Sequence, residues 1–203
     1  EPDREQAYEG ELPSGVDTTP EPEPDTPSEP DAPEESSSEN ALISADADKR
    51  AREVLSSMTE DEKIWQLFYV TPELLTGVET ATRAGDSTKE ALEAMPVGGI
   101  IYFAKNLEDR AQSVEMLSNT KSYAKIPLFL GTDEEGGTVS RVGANAAMDA
   151  VQTPSLQSLG EQADPAAVYQ AGQDIAGSLH AIGFNIDFAP VADVSAGASS
   201  VIG

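Results

Sequence analysis

The sequence predicts an α/β fold, a parallel sheet covered by helices, with about four strands where a closed (β/α) barrel has eight. Three observations predict it. From about residue 45 strands and helices alternate, which is the rhythm of a sheet with helical crossovers. The strands are near-continuous apolar runs, as strands buried on both faces must be. One of them, Leu128-Phe129-Leu130, breaks abruptly into Asp133-Glu134-Glu135, the pair Gly136-Gly137 and then Arg141. A buried strand that ends in carboxylates and glycines marks the end of a barrel where active sites lie.

Each element has its own signal. Asp48 to Ser57 places Val54 and Leu55 on a short amphipathic pattern, and Thr59-x-x-Glu62 is a capping box that opens a helix. The apolar cluster Ile64, Trp65, Leu67, Phe68 runs on through Tyr69 and Val70, so helix turns into strand there. Thr71 to Met95 reads as a loop followed by a polar helix around Ser87 to Ala94. Val97 to Ala104 is a Gly-led, β-branched and aromatic run, hence a buried strand. Leu107 to Ala124 follows as a helix with Val114 and Leu117 inward, and Leu128 to Thr132 as a strand. Pro165 to Ile182 is a long helix with Val168, Ile175 and Leu179 on one face and Gly183 as its stop. Asn185 to Val191 is the last strand, ending in the polar Asp193 and Ser195.

Composition divides the chain. Residues 1–48 hold 16 of the 37 acidic residues, 8 of the 14 prolines and one basic residue, Arg4, for a net charge of −15; the remaining 155 residues carry −10 of the total −25. A stretch such as Pro20-Glu21-Pro22-Glu23-Pro24-Asp25 repels itself and has little apolar surface to bury, so residues 1–44 are expected to be a disordered acidic tether. Residues 45–203 are expected to be the folded part, long enough for an ordinary core. The acidity argues against nucleic acid, which needs clustered Lys and Arg, and against adsorption to anionic lipid. No apolar run approaches the roughly 20 residues of a membrane-spanning helix. Cysteine is absent, which excludes disulfides and thiolate metal sites. The chain starts at Glu1 and not at Met, so a removed leader is allowed. An acidic tether suits an exported protein held off a bacterial envelope, a lipidated cysteine upstream being one means of attachment; a solubilising tail is the other reading.

Three ordered segments carry a resemblance. They are Val97-Gly98-Gly99-Ile100-Ile101-Tyr102-Phe103-Ala104-Lys105-Asn106, the stretch Leu128 to Val142 with its Asp-x-Glu-Gly-Gly pattern, and Gly183-Phe184-Asn185-Ile186-Asp187-Phe188-Ala189-Pro190-Val191-Ala192-Asp193-Val194. They resemble the second, third and fourth strands of the N-terminal domain of glycoside hydrolase family 3, a (β/α)8 TIM-barrel type, and most closely its bacterial β-N-acetylhexosaminidase branch. Ser57 to Phe68 is similar to the helix that opens many members. The resemblance implies a retaining glycosidase acting on terminal β-N-acetylglucosaminides in carbohydrate metabolism or peptidoglycan turnover, with no cofactor. It also implies sugar contacts from Asp133 and Arg141.

The chemistry suits those residue types. A carboxylate accepts hydrogen bonds from two adjacent sugar hydroxyls at once, and bonds to an ionised acceptor are the stronger kind. A guanidinium offers planar donors to sugar oxygens or to a neighbouring carboxylate. Gly136 and Gly137 let the backbone turn sharply and approach a ligand. Plainer readings stand beside these: Asp133 as the cap of a turn, Arg141 as a structural ion-pair partner, Glu134 and Glu135 as solvated or supporting groups. Asp187 and Asp193 would brace the sheet end, and of these only Asp193 could touch the site. His180, the sole histidine, sits in a helix, packed or exposed rather than catalytic. Trp65 and Tyr102 could stack on a sugar, Trp65 more naturally as core. A metal reading of Asp133-Glu134-Glu135 fails because adjacent loop residues rarely converge and no His is near.

Retaining hydrolysis needs a nucleophile and a proton donor flanking the glycosidic bond. The family's later Asp nucleophile, its His-Asp acid/base pair and its Lys-His sugar motif have no match in these 203 residues. The expectation is therefore a recognition half with no catalytic residue of its own, inactive alone, and prone to self-association through uncovered barrel edges. A β-glucosidase-type member and a non-catalytic carbohydrate-binding or surface-interaction protein are the alternatives.

Overall fold

The structure, a computed structural model, describes residues 37–193, with side-chain surroundings from residue 45 onward. Most of the expected acidic tether, and Ser195, lie outside those residues. The first helix, α1 (Ser37–Ser57), spans the boundary expected between residues 44 and 45, and Val54 and Leu55 on it are exposed. The chain divides into two units, residues 1–48 and 49–203.

Within the second unit the sequence signals place the elements. Thr59 caps α2 (Glu60–Trp65) as the capping box requires: its hydroxyl accepts the Glu62 N–H at 3.1 Å, and its own N–H donates to Glu62 Oε2 at 2.9 Å. Lys125 also donates to the Glu62 carboxylate, which pins α2 to the distant segment before the third strand. The chain then enters β1 (Tyr69–Val70). The stretch read as loop contains a short helix, α3 (Pro72–Thr76), with Thr71 as its cap and Pro72 in its first turn. The polar helix α4 runs Asp86–Ala94. The predicted strand at 97–104 narrows to β2 (Gly99–Ile101), the next helix is α5 (Arg110–Tyr123), and β3 is Phe129–Thr132.

Helix α5 corrects one reading. Leu117 is fully buried, but Val114 is 38% exposed. The inward stripe is Ser113, Met116, Leu117 and Thr120, a proper helical spacing that includes two hydroxyls. Each hydroxyl is placed by its neighbours: Thr120 donates to Met116 O at 2.8 Å, which leaves the buried Tyr102 hydroxyl to donate to Thr120 at 3.2 Å. Polar residues could face inward because their partners are local, so apolarity alone chose the wrong neighbour at 113/114.

A hairpin of two short strands and a helix have no counterpart in the sequence signals. Residues 134–140 fold into an antiparallel hairpin, β4 (Glu134–Gly136) with β5 (Val139–Ser140), and Ser155 caps a helix α6 (Leu156–Gln162). The long helix α7 spans Pro165–Ile182 and stops at Gly183, whose φ of 113° suits glycine. On α7, Leu179 is buried and Ile175 packs against the core, but Val168, near the helix start, is 43% exposed. The last strand is much shorter than predicted, β6 (Ile186–Asp187).

The four long-range strands form one parallel sheet in the order β1-β2-β3-β6. Register follows the pairs Tyr69 with Gly99, Ile100 with Leu130, and Gly131 with Ile186. Below β6 the Asn185 side chain extends the ladder. Its Oδ1 accepts the Leu130 N–H at 2.7 Å, and its Nδ2 donates to Leu128 O at 2.9 Å. On one face Ile100 and Leu130 join Leu117, Leu179, Ile182, Phe184 and Leu92 in the core; each such buried side chain contributes about 1.5–3 kcal/mol. The rings of Tyr69, Phe129 and Phe188 associate with one another, Tyr69 lying 6.1 Å from Phe129 and 5.6 Å from Phe188. Glycines make room for them: a Cβ on Gly99 would meet the Tyr69 ring at 2.3 Å, and one on Gly131 the Phe188 ring at 2.6 Å.

Candidate functional site

Every strand of a parallel sheet points the same way, so the segments following β1, β2, β3 and β6 gather at one end. The segment after β3 holds Asp133, Glu134, Glu135 and, beyond the hairpin turn, Arg141. The structure brings the two predicted site residues together: Arg141 Nη2 lies 3.5 Å from Asp133 Oδ2, with side chains 28% and 23% exposed. The Arg141 Nε is buried and donates to nothing among the described residues. A buried donor without an acceptor costs about 1–3 kcal/mol.

Glu134 is only 2% exposed, and it is the residue that the sequence reading undervalued. Of the two roles expected for it, solvated or supporting, only the second survives. Its Oε2 accepts the N–H groups of Arg141 at 2.8 Å and Val142 at 2.7 Å; its Oε1 accepts the Gly143 N–H at 3.1 Å and the Ser140 hydroxyl. Ser140 in turn accepts the Ala144 N–H at 3.0 Å. A lone acid beside other acids gives no sign of burial. The available signal was downstream, in Ser140 and Gly143, because a Cβ on Gly143 would stand 3.0 Å from Glu134 Oε1.

Gly136 and Gly137 do shape the loop. They sit at φ of 79° and 57°, the left-handed region that lets the hairpin reverse. What they closely approach is the protein's own chain: a Cβ at Gly136 would meet Pro154 O at 2.4 Å, and one at Gly137 the Ser155 Cβ at 2.6 Å.

Asp187, at the end of β6, accepts the Glu134 N–H at 3.0 Å and so braces the sheet end as expected. Burial pushes its carboxyl up to about 6; the Glu134 N–H works against this, and the charges of Glu134, Asp133 and Glu135 add to it. Asp193 is exposed and bonds to no described residue, so the acid that touches the loop after β3 is Asp187 and not, as expected, Asp193. Beside these, Glu73 joins the loops after β1 and β2. Its Oε1 accepts from Asn106 Nδ2 at 2.6 Å and the Ala81 N–H at 3.1 Å, with Lys105 Nζ at 3.4 Å. Burial alone would raise the Glu73 carboxyl, but those donors hold it below the ordinary range.

The remaining candidates fall on the plain side. His180 is exposed on α7. Trp65 packs against the core and Phe68. Tyr102 is 1% exposed, with burial pushing its hydroxyl up to about 12, so it cannot present a face to a sugar. Among the described residues no three His, Asp or Glu side chains gather in a way that could hold a metal ion. Cavities of about 590 Å³ along the outer side of α5 and about 190 Å³ around Thr76 to Thr88 are lined by neither Asp133 nor Arg141.

The chain has relatives. Residues 59–203 match the family described as Glycosyl hydrolase family 3 N terminal domain. A beta-hexosaminidase of Bordetella avium is 35% identical over 124 residues, 58% of this chain and 35% of that protein. One of Thiobacillus denitrificans is 34% identical over 128 residues, 60% of this chain and 34% of that protein. Among solved structures, a glycoside hydrolase family 3 beta-N-acetylglucosaminidase from Paenibacillus superposes with a TM-score of 0.58 at 30% identity, over 66% of this chain and 24% of that one. The chain thus spans about a third of the length of these curated relatives. With the family's match covering residues 59–203, the chain belongs to glycosyl hydrolase family 3, through that family's N-terminal domain.

Proposed function

We propose that this chain is the sugar-recognition part of a retaining glycoside hydrolase of (β/α)8 barrel type that acts on terminal β-N-acetylglucosaminides, with Asp133 and Arg141 gripping the sugar. The pair at the end of β3 carries this reading. Its carboxylate and guanidinium lie 3.5 Å apart, each partly exposed and so open to a ligand. A sugar with adjacent hydroxyls supplies both a donor pair for Asp133 and acceptor oxygens for Arg141. The names of the relatives support the N-acetylhexosaminide over the glucoside.

The nucleophile and the acid/base lie outside these residues on this reading. The single histidine is exposed on α7, and both oxygens of Glu134 are engaged by the N–H groups of Arg141, Val142 and Gly143 and by the Ser140 hydroxyl. The 203 residues alone are therefore expected to bind sugar and not to turn over a nitrophenyl N-acetylglucosaminide. Export to a bacterial envelope is the matching location for an enzyme of peptidoglycan turnover with an acidic tether.

Calorimetry tests recognition. N-acetylglucosamine should give saturable heat, and Asp133→Ala should weaken binding about tenfold or more, the loss of a charge-assisted bond of about 1.5–3 kcal/mol. Glucose binding as tightly would favour the β-glucosidase-type alternative. Heat indistinguishable from buffer dilution for both sugars would end the proposal.

A further inference from the structure

We infer that Glu134 is the positioning residue of the recognition pair: one buried side chain sets where Arg141 stands relative to Asp133. The inference rests on the sugar-binding reading of that pair for its functional consequence, though not for its geometry.

Glu134 is bonded to both partners of the pair at their roots. It follows Asp133 directly in the chain, so the two share a peptide bond. Across the loop its carboxylate takes the main-chain N–H of Arg141 itself at 2.8 Å, then those of Val142 at 2.7 Å and Gly143 at 3.1 Å. Successive N–H groups turned onto one anion form a nest, a backbone conformation that the anion holds in place. Here the anion is internal. Without it three donors in a partly to fully buried turn would lose their acceptor, and the turn bearing Arg141 would open.

The site for this carboxylate is built from three directions. Ser140 donates its hydroxyl to Oε1, and Gly143 leaves the space that Oε1 occupies, since a Cβ there would also press on Ser140 Oγ at 3.0 Å and Val151 O at 2.7 Å. Asp187 accepts the Glu134 N–H at 3.0 Å, which ties the residue to β6. The position of Arg141 is therefore inherited from the sheet, through Asp187 and Glu134, while among the described residues the Arg141 guanidinium itself makes one ion pair, with Asp133.

The test compares wild type, Glu134→Gln and Gly143→Ala in the full 203-residue chain, isotope-labelled for NMR and titrated with N-acetylglucosamine. Glutamine keeps the shape but turns a donor toward the nest. Alanine keeps every polar group and crowds the carboxylate. In both variants the amides of Arg141, Val142 and Gly143 should exchange with solvent about tenfold faster, and the Arg141 Nε resonance should move, with core amides such as Leu117 unchanged. Sugar affinity should fall about tenfold in parallel. Two results would overturn the inference: an Arg141 Nε resonance unmoved in both variants, or full sugar affinity in either. If Glu134→Gln does not fold, Gly143→Ala decides alone. If wild type binds no sugar yet the Arg141 signals move as described, the positioning role stands and the sugar-binding reading falls.

Discussion

Asp187 is the residue whose proton is most telling. Its folded carboxyl titrates near 6 because burial and three neighbouring carboxylates outweigh one N–H donor. The folded chain thus keeps this proton at pH values where the unfolded chain has lost it. Its contribution to stability is complete below about pH 4, falls as pH rises toward 6, and is constant above that. Glu62, held low by Lys125 and by the Thr59 N–H, works in the opposite sense, its contribution being lost as pH falls through the acid range. The difference between wild type and Asp187→Asn isolates the first effect. Urea stability should decline between about pH 4 and 6.5 more steeply in wild type than in the variant, and the Asp187 carboxyl carbon should titrate with a midpoint near 6. A midpoint in the ordinary carboxylate range would refute the argument.

At the scale of elements, the cap of α2 offers the plainest prediction. Both halves of the capping box are formed, so Thr59→Ala should cost about 1 kcal/mol and lower the melting temperature by about 2–4 °C. An unchanged melting curve would show that α2 is held by Lys125 and not by its cap. This cap, the stop at Gly183 and the cores of β2 and β3 were legible because each is a local rule written in adjacent residues. Asp133 and Arg141 were legible as a pair through the motif they share. Glu134 was not, since its burial depends on Ser140 and Gly143 folding back, and an acid among acids reads as solvated. The hairpin was hidden although Gly136-Gly137 is a strong turn signal, because β4 and β5 are too short to show an alternating pattern. Val114 and Val168 were misplaced because apolarity was read without the hydroxyl partners or the neighbours that decide which face is covered.

For the whole molecule, the sheet is open at β1 and β6 among the described residues, and large apolar side chains stand exposed along it. Leu67 and Leu74 are the most accessible, with Phe129, Phe188 and Tyr69 partly so. Patches of this kind drive association when charge repulsion is screened. Size-exclusion light scattering should therefore give species above the 21.3 kDa chain mass, more so at high salt, and Phe129→Ser should shift them toward monomer. A sharp monomer at all salt concentrations would be the contrary result. The seam between β3 and β6 limits how such a sheet can be assembled. Main-chain ladders tolerate a slip of two residues, because inside and outside faces are preserved. The Asn185 amide does not: slipped by two, its Oδ1 and Nδ2 would leave Leu130 N and Leu128 O unanswered. The Asn185 amide thus favours one alignment of the fourth strand on the third, and that alignment is what delivers Asp187 to Glu134.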